Sequence, residues 1–234
     1  MRNFLMALLL FTAAPLTAQD TVRHVGEFPE SRYQGGPSAF YKTLGETLSY
    51  PPTAHRTARV GTSIVSLTLS PEGTFAQLEI INPLGKGIDE DILQTFRKNE
   101  NQWLPQPDAS PIRMYFVITY MINSQSFYRV APDPAFFQEE ITVRAVIRGH
   151  SVQRSHKKLI NKLHKLREKK RFKKALKVAD ELIRRDPLNS QWYLRRSNIN
   201  DALDNRVAVC QDLTKLRYFL KVPITDTLLL QYCE

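Results

Sequence analysis

GTSIVSLTLSPEGTFAQLEII, residues 61–81, is the stretch that decides the fold. Ser63, Val65, Leu67 and Leu69 alternate with Thr62, Ile64, Ser66 and Thr68, the period of two that a strand imposes because successive side chains leave opposite faces. Ser70-Pro71-Glu72-Gly73 reads as a tight turn in which Gly73 is free to take a positive φ, and Thr74 to Ile81 returns as the partner strand. Upstream of this hairpin, Phe40, Leu44 and Leu48 lie four apart, one stripe of a short helix that Tyr50-Pro51-Pro52 ends, since the residue before a proline disfavours the helical region. Downstream, Gly87-Ile88-Asp89 opens a second helix. Ile88, Ile92, Leu93 and Phe96 form its apolar stripe, and Asp89, Glu90 and Asp91 suit the positive end of its dipole. Trp103-Leu104-Pro105 leads through a polar loop into Ile112 to Ile122, apolar on both faces and therefore a central or covered strand.

The wider composition bounds the class. With 42% hydrophobic and 24% charged residues over 234 positions, the chain is neither disordered throughout nor collagen-like, and two cysteines do not make a disulfide scaffold. Arg2, the apolar run from Phe4 to Phe11 and Pro15-Leu16-Thr17-Ala18 read as an export signal over residues 1–19, cut after Ala18 or Gln19. The longest apolar run, Phe4 to Leu16, is shorter than the roughly 18 residues that a membrane span requires. The expected location is outside the cytoplasm, in an oxidising compartment where Cys210 and Cys233 could pair.

Charge divides the chain. Residues 154–185 carry 14 Lys+Arg against 3 Asp+Glu, a local charge of +11, whereas the whole chain holds +10. The basic character thus belongs to one segment. Before it the sequence is rich in proline, β-branched and aromatic residues; after it apolar residues recur at helical spacing. The expectation is an α+β fold over residues 20–148, ordered helix-strand-strand-helix-strand with an antiparallel sheet and an extra C-terminal strand, followed by an all-α domain over 149–234. In the second part Leu159, Leu163 and Leu166 form one stripe and Phe172, Leu176, Ala179 and Ile183 another, closed by Asp186-Pro187. Ala175 and Pro187 stand close to the small-residue and proline positions of a tetratricopeptide repeat, so this part resembles a TPR-like helical hairpin domain. Trp192, Tyr193 and Ile199 start a second helix pair, continued by Val207 to Leu220 and a last helix near Thr225 to Tyr232.

Gly35-Gly36, Phe40, Tyr50-Pro51, Gly61, the turn ending at Gly73, Gly87-Ile88-Asp89, and Trp103 two before Pro105 form an ordered series with fitting spacing. That series closely resembles the C-terminal domain of TonB-family proteins over about residues 21–123. The resemblance implies a non-enzymatic periplasmic module that binds an extended segment of an outer-membrane TonB-dependent transporter by lending it the edge of its last strand. Here that edge would be formed by the backbone of Arg113, Tyr115, Val117, Thr119 and Met121. Three features depart from the family: a cleavable signal in place of a retained anchor, a short lead-in from Gln19 to Gly35 in place of a long spacer, and a further strand-like segment. In that segment Ile141, Val143, Ala145 and Ile147 alternate with Thr142, Arg144, Val146 and Arg148. It either occupies the binding edge in cis, as proteins often do with exposed edges, or pairs elsewhere or forms a linker.

Catalysis is not expected. The five histidines, His24, His55, His150, His156 and His164, lack the spacing of metal-hydrolase motifs; no Gly-x-Ser-x-Gly or Cys-x-x-Cys occurs, and no cofactor or metal is implied. Lys157, Lys158, Lys162, Lys165, Lys169, Lys170 and Arg171 either fill the solvent faces of two helices or attract an anionic envelope surface. Two functions follow: a periplasmic adaptor that binds protein or extended peptide, linked to transport across the outer membrane, or an envelope scaffold docked on anionic lipid or cell-wall polymer through those helices. Nucleic acid is disfavoured by the export signal.

Overall fold

The computed structural model describes residues 22–122, 129–146 and 156–234. The export signal, Ile147 and the expected join at residues 148–149 lie outside the described residues.

The hairpin forms as β2 (Gly61–Leu69) and β3 (Phe75–Ile80), with Val65 opposite Ile80 and Leu67 opposite Leu78. At its turn Gly73 has φ 85°, and a Cβ there would lie 2.7 Å from the Trp103 carbonyl oxygen, so the turn needs glycine for both conformation and space. Buried Arg32 fastens this turn: its Nη2 donates to the Ser70 carbonyl at 2.6 Å and its Nε to the Leu104 carbonyl at 3.0 Å. The strand β4 (Ile112–Ile122) pairs antiparallel with β2 over that strand's whole length.

The expected antiparallel sheet is in fact mixed. On the other side of β4, both β1 (Arg23–His24) and β5 (Ile141–Ala145) run parallel to it, Arg23 against Ile112 and Ile118 against Ile141. The connection between β4 and β5 is long enough to carry the chain back to the same end of the sheet, which a hairpin turn cannot do, and that is what makes a parallel neighbour possible.

One face of the sheet is covered by α1 (Gly36–Thr47) and α3 (Ile88–Lys98). Phe40, Leu44, Ile88, Ile92 and Phe96 pack there against Val65, Leu67, Met114, Phe116, Ile118 and Tyr120. α1 closes at Leu48, before the proline pair expected to end it, and the pair instead opens the next helix: Pro52 begins α2 (Pro52–Arg56), a position where its missing N–H costs nothing. The opposite face, which an isolated sheet would leave to solvent, packs on the helical half. Ile64 and Val117 meet Phe137, Leu188 and Phe219, and Thr62 Oγ1 donates to the Arg185 carbonyl at 3.3 Å. This is why all nine residues of β2 are buried and why β4 is apolar on both faces.

The helical half has its own apolar cluster, built by α4 (His156–Glu168), α5 (Phe172–Arg185), α6 (Ser190–Asp201) and α7 (Arg206–Thr214) around Leu163, Ala179, Leu182, Tyr193 and Leu213. A turn of wider π pitch, Lys215–Phe219, extends α7 and presents Phe219 to Tyr115 of the sheet, ring centroids 5.4 Å apart. The last helix, α8 (Asp226–Cys233), has no fully buried residue. It is tied to α7 by the Cys210–Cys233 disulfide and to the end of α6 by Tyr232 Oη donating to Asp201 at 2.7 Å. An eight-residue helix with so little burial is too short to persist alone. Reduction is therefore expected to release it: the amides of residues 229–233 should exchange at near-unfolded rates in hydrogen-exchange mass spectrometry while those of α5 and α6 stay protected.

Candidate peptide-binding edge

Backbone alternation decides which groups β4 offers to a partner. Arg23 N–H donates to the Pro111 carbonyl at 3.0 Å, Val25 N–H to that of Arg113 at 3.0 Å, and Gln138 N–H to that of Tyr115 at 2.8 Å. The odd-numbered residues therefore turn their backbone groups away from β2. The expected edge, Arg113, Tyr115, Val117, Thr119 and Met121, is that outward set. It is occupied by the chain itself, by β1 at Ile112 and Arg113, by Gln138 at Tyr115, and by β5 from Ile118 to Ile122. Of the two readings of the strand-like segment, pairing in cis is the one observed, over Ile141–Ala145.

Side chains lock this cover in place. Ile141 is buried in the sheet core with Val143 partly buried beside it, whereas Thr142 and Arg144 point to solvent. Buried Gln138 donates through Nε2 to the carbonyls of Val25 at 3.0 Å and Gly26 at 2.8 Å, joining the approach to β5 to the exit from β1. Gly26 permits that approach, since a Cβ there would lie 2.1 Å from the Ala135 carbonyl oxygen. His24 stacks on Phe136 at 4.2 Å, and Phe136 stacks in turn on Tyr115 at 5.0 Å. Tyr41 Oη accepts from Glu139 N–H at 3.0 Å; burial, with the Glu139 charge nearby, pushes this hydroxyl up to about 12 despite that bond, so it is neutral at physiological pH. Arg129 pairs with Glu140 at 2.6 Å.

The other residues singled out from the sequence serve architecture or surface. Phe40 and Trp103 are buried and meet ring to ring at 5.6 Å; Tyr50 Oη donates to the Arg59 carbonyl. Gly35 and Gly36 open α1 at positive φ, and Pro51 packs close to Gly87. Pro105 follows Leu104, whose N–H donates to the Arg32 carbonyl at 2.8 Å. Val117 and Thr119 are wholly buried and Met121 nearly so, so these three residues can meet a partner strand only through their backbone groups. Lys157, Lys158, Lys162, Lys165, Lys169, Lys170 and Arg171 are all exposed along α4 and the turn after it. Among the described residues no three His, Cys, Asp or Glu side chains gather as a metal site, and no helix is long and apolar enough to cross a membrane. Sequence reasoning missed β1, Gln138 and the His24-Phe136 stack. The adjacent aromatics Phe136-Phe137 in a polar connection were the available signal.

Residues 46–122 match the family model described as Gram-negative bacterial TonB protein C-terminal. The matched range runs from the last turn of α1 to the end of β4, so it holds the hairpin, α3 and the edge strand but neither β5 nor the helical half. No curated protein and no solved structure matches the chain.

Proposed function

We propose that this chain is a non-enzymatic, protein-binding module of the bacterial periplasm, built on a TonB-type C-terminal domain whose binding edge is held by its own residues 129–146. An extended segment of an outer-membrane transporter gains that edge by displacing β5, through the main-chain bonding that strand addition uses. The helical half, residues 149–234, acts as a TPR-like adaptor that supports the second face of the sheet. The observation that carries this reading is the parallel register of β5 on β4 at the positions where the family resemblance puts the bound peptide.

The test is fluorescence anisotropy with a labelled transporter-derived peptide of 10–15 residues, titrated with the intact chain and with a variant whose β5 pairing is broken, such as Val143→Pro. Competition from a tethered strand should weaken the intact chain, so the variant should bind at least about tenfold more tightly. Equal affinities would place the peptide elsewhere, and no binding by either would remove the transporter reading.

The exposure of all seven basic side chains on α4 and its following turn favours a second role, attachment to an anionic envelope surface. That attachment should fall steeply between low and physiological ionic strength, whereas strand addition should change little.

A further inference from the structure

α5 meets the sheet with its C-terminal end, where the Arg185 carbonyl accepts from Thr62 Oγ1. Its other end, about 20 Å away for a helix of 14 residues, carries a different surface. There a cavity of about 500 Å³ is lined by Lys170, Arg171, Phe172, Lys173, Lys174 and Leu203. Lys170 and Arg171 belong to the turn after α4, the next three residues open α5, and Leu203 lies in the turn between α6 and α7. The first turn is fixed by its backbone: Arg171 N–H donates to the Leu166 carbonyl at 2.8 Å and Lys170 N–H to that of Arg167 at 2.9 Å. Lys170 takes φ 51° there, the left-handed position that closes a helix in this pattern of bonds.

No carboxylate lines the cavity. All four cations are exposed, and none makes an ion pair or a side-chain hydrogen bond among the described residues. Neighbouring carboxylates do not cancel them: residues 168–174 and 201–206, the two turns with their flanks, hold six Lys+Arg against three Asp+Glu. The rest of the lining is apolar. Phe172 and Leu203 pack on the helical cluster and stay partly exposed, and Val207, in the first turn of α7, is 69% exposed. A small polar anion would use the cations and leave the apolar groups in water; an apolar partner would use those groups and leave the cations without a counter-charge. An anionic phospholipid meets both, its phosphate against the cations and its glycerol and first methylenes against Phe172, Leu203 and Val207.

We propose that this end of the helical half docks on an anionic phospholipid bilayer, with a headgroup phosphate among Lys170, Arg171, Lys173 and Lys174. The proposal rests on the second role given above, attachment to an anionic surface, and moves the contact from the side of α4 to the tip of the helical half. The sheet, at the opposite end of α5, is thereby held away from the bilayer.

The experiment is co-sedimentation of the full chain with phosphatidylcholine vesicles, with and without phosphatidylglycerol as about a third of the lipid, a content that gives a surface potential sufficient to attract basic segments. Retention should require phosphatidylglycerol and fall as salt is raised. Lys173→Gln with Lys174→Gln should lower the partition coefficient at least about tenfold. Val207→Ser should lower it at least about threefold through lost apolar contact. All three positions are exposed, so an unchanged Tm serves as the control for folding. Lys157→Gln with Lys162→Gln, on the exposed side of α4, should change it less than about twofold. Retention that survives the Lys173 and Lys174 changes but falls with those at Lys157 and Lys162 overturns the proposal while leaving the broader attachment standing. Loss with the Lys173 and Lys174 changes but none with Val207→Ser means a polar anion in place of a bilayer and overturns it as well. No retention of the unmodified chain removes both the proposal and the role on which it rests.

Discussion

Replacing Val143 by proline is expected to open the β4 edge, speeding amide exchange across residues 117–122 by about a hundredfold or more. Val143 sits in the middle of β5, opposite Tyr120, and alternation along a parallel ladder turns its N–H toward β4. Proline removes that donor and leaves a buried acceptor on β4 unpaired. A lost bond of about 1 kcal/mol and an orphaned carbonyl of about 1–3 kcal/mol together cost roughly 2–4 kcal/mol. A strand of five residues gives little to set against such a loss, and its outer face, Thr142 and Arg144, is solvated. The rest of the sheet has independent support, because β2 pairs the other side of β4 over nine residues and α1 and α3 cover one face. The effect should therefore be local: β5 leaves, β2 and β3 keep their protection, and far-UV circular dichroism barely changes. Unaltered exchange on β4 would mean that β5 does not protect it in solution.

Arg196→Met is expected to cost about 3–5 kcal/mol of stability. Arg196 on α6 grips Asp212 of α7 through two bonds, Nε to Oδ2 at 3.0 Å and Nη2 to Oδ1 at 2.6 Å, while its Nη1 reaches Asp180 of α5 at 2.9 Å. One side chain thus joins three helices. Asp212 is 1% exposed, so removing the arginine leaves a buried carboxylate without the cation that hydrogen-bonds it. Burial already pushes the Asp212 carboxyl up, with the bonds from Arg196 opposing that push; in the variant only the nearby Lys215 charge still opposes it. The sign with pH follows. Between the unfolded value near 4 and the raised folded value, the folded variant binds more protons than the unfolded chain, so its stability rises as pH falls. Urea unfolding at pH 7 and pH 5 should show the deficit narrowing at the lower pH. Adding Asp212→Leu should recover most of the loss, because the buried carboxylate is then gone.

The elements that could be read from the sequence are those fixed by local pattern. The alternation through residues 61–81 and the apolar run 112–122 gave strands where strands occur, and the stripe from Ile88 to Phe96 gave α3. The stripe through Phe40 and Leu44 gave α1, although Leu48 proved to be the residue that ends it. Pro51-Pro52 was misread as a terminator only, because a proline that stops one helix is equally suited to start the next. The candidate site was half legible. The odd-numbered residues of β4 follow from alternation, and the period-two pattern after Ile141 suggested a covering strand. Its direction did not follow, because parallel or antiparallel pairing depends on where the intervening chain travels, and nothing local to Ile141 encodes that path. The two-residue strand β1 has no periodicity to detect, and Gln138 acts through contacts more than a hundred positions away.

The most direct test of a self-occupied edge is hydrogen exchange of the unmodified chain, followed by mass spectrometry on fragments covering residues 115–122 and 139–146. Both fragments should be protected together, and the protection of β5 should approach that of β4. Rapid exchange across residues 142–145 while β2, β3 and β4 remain protected would contradict it, and would leave the β4 edge open to partners without any displacement.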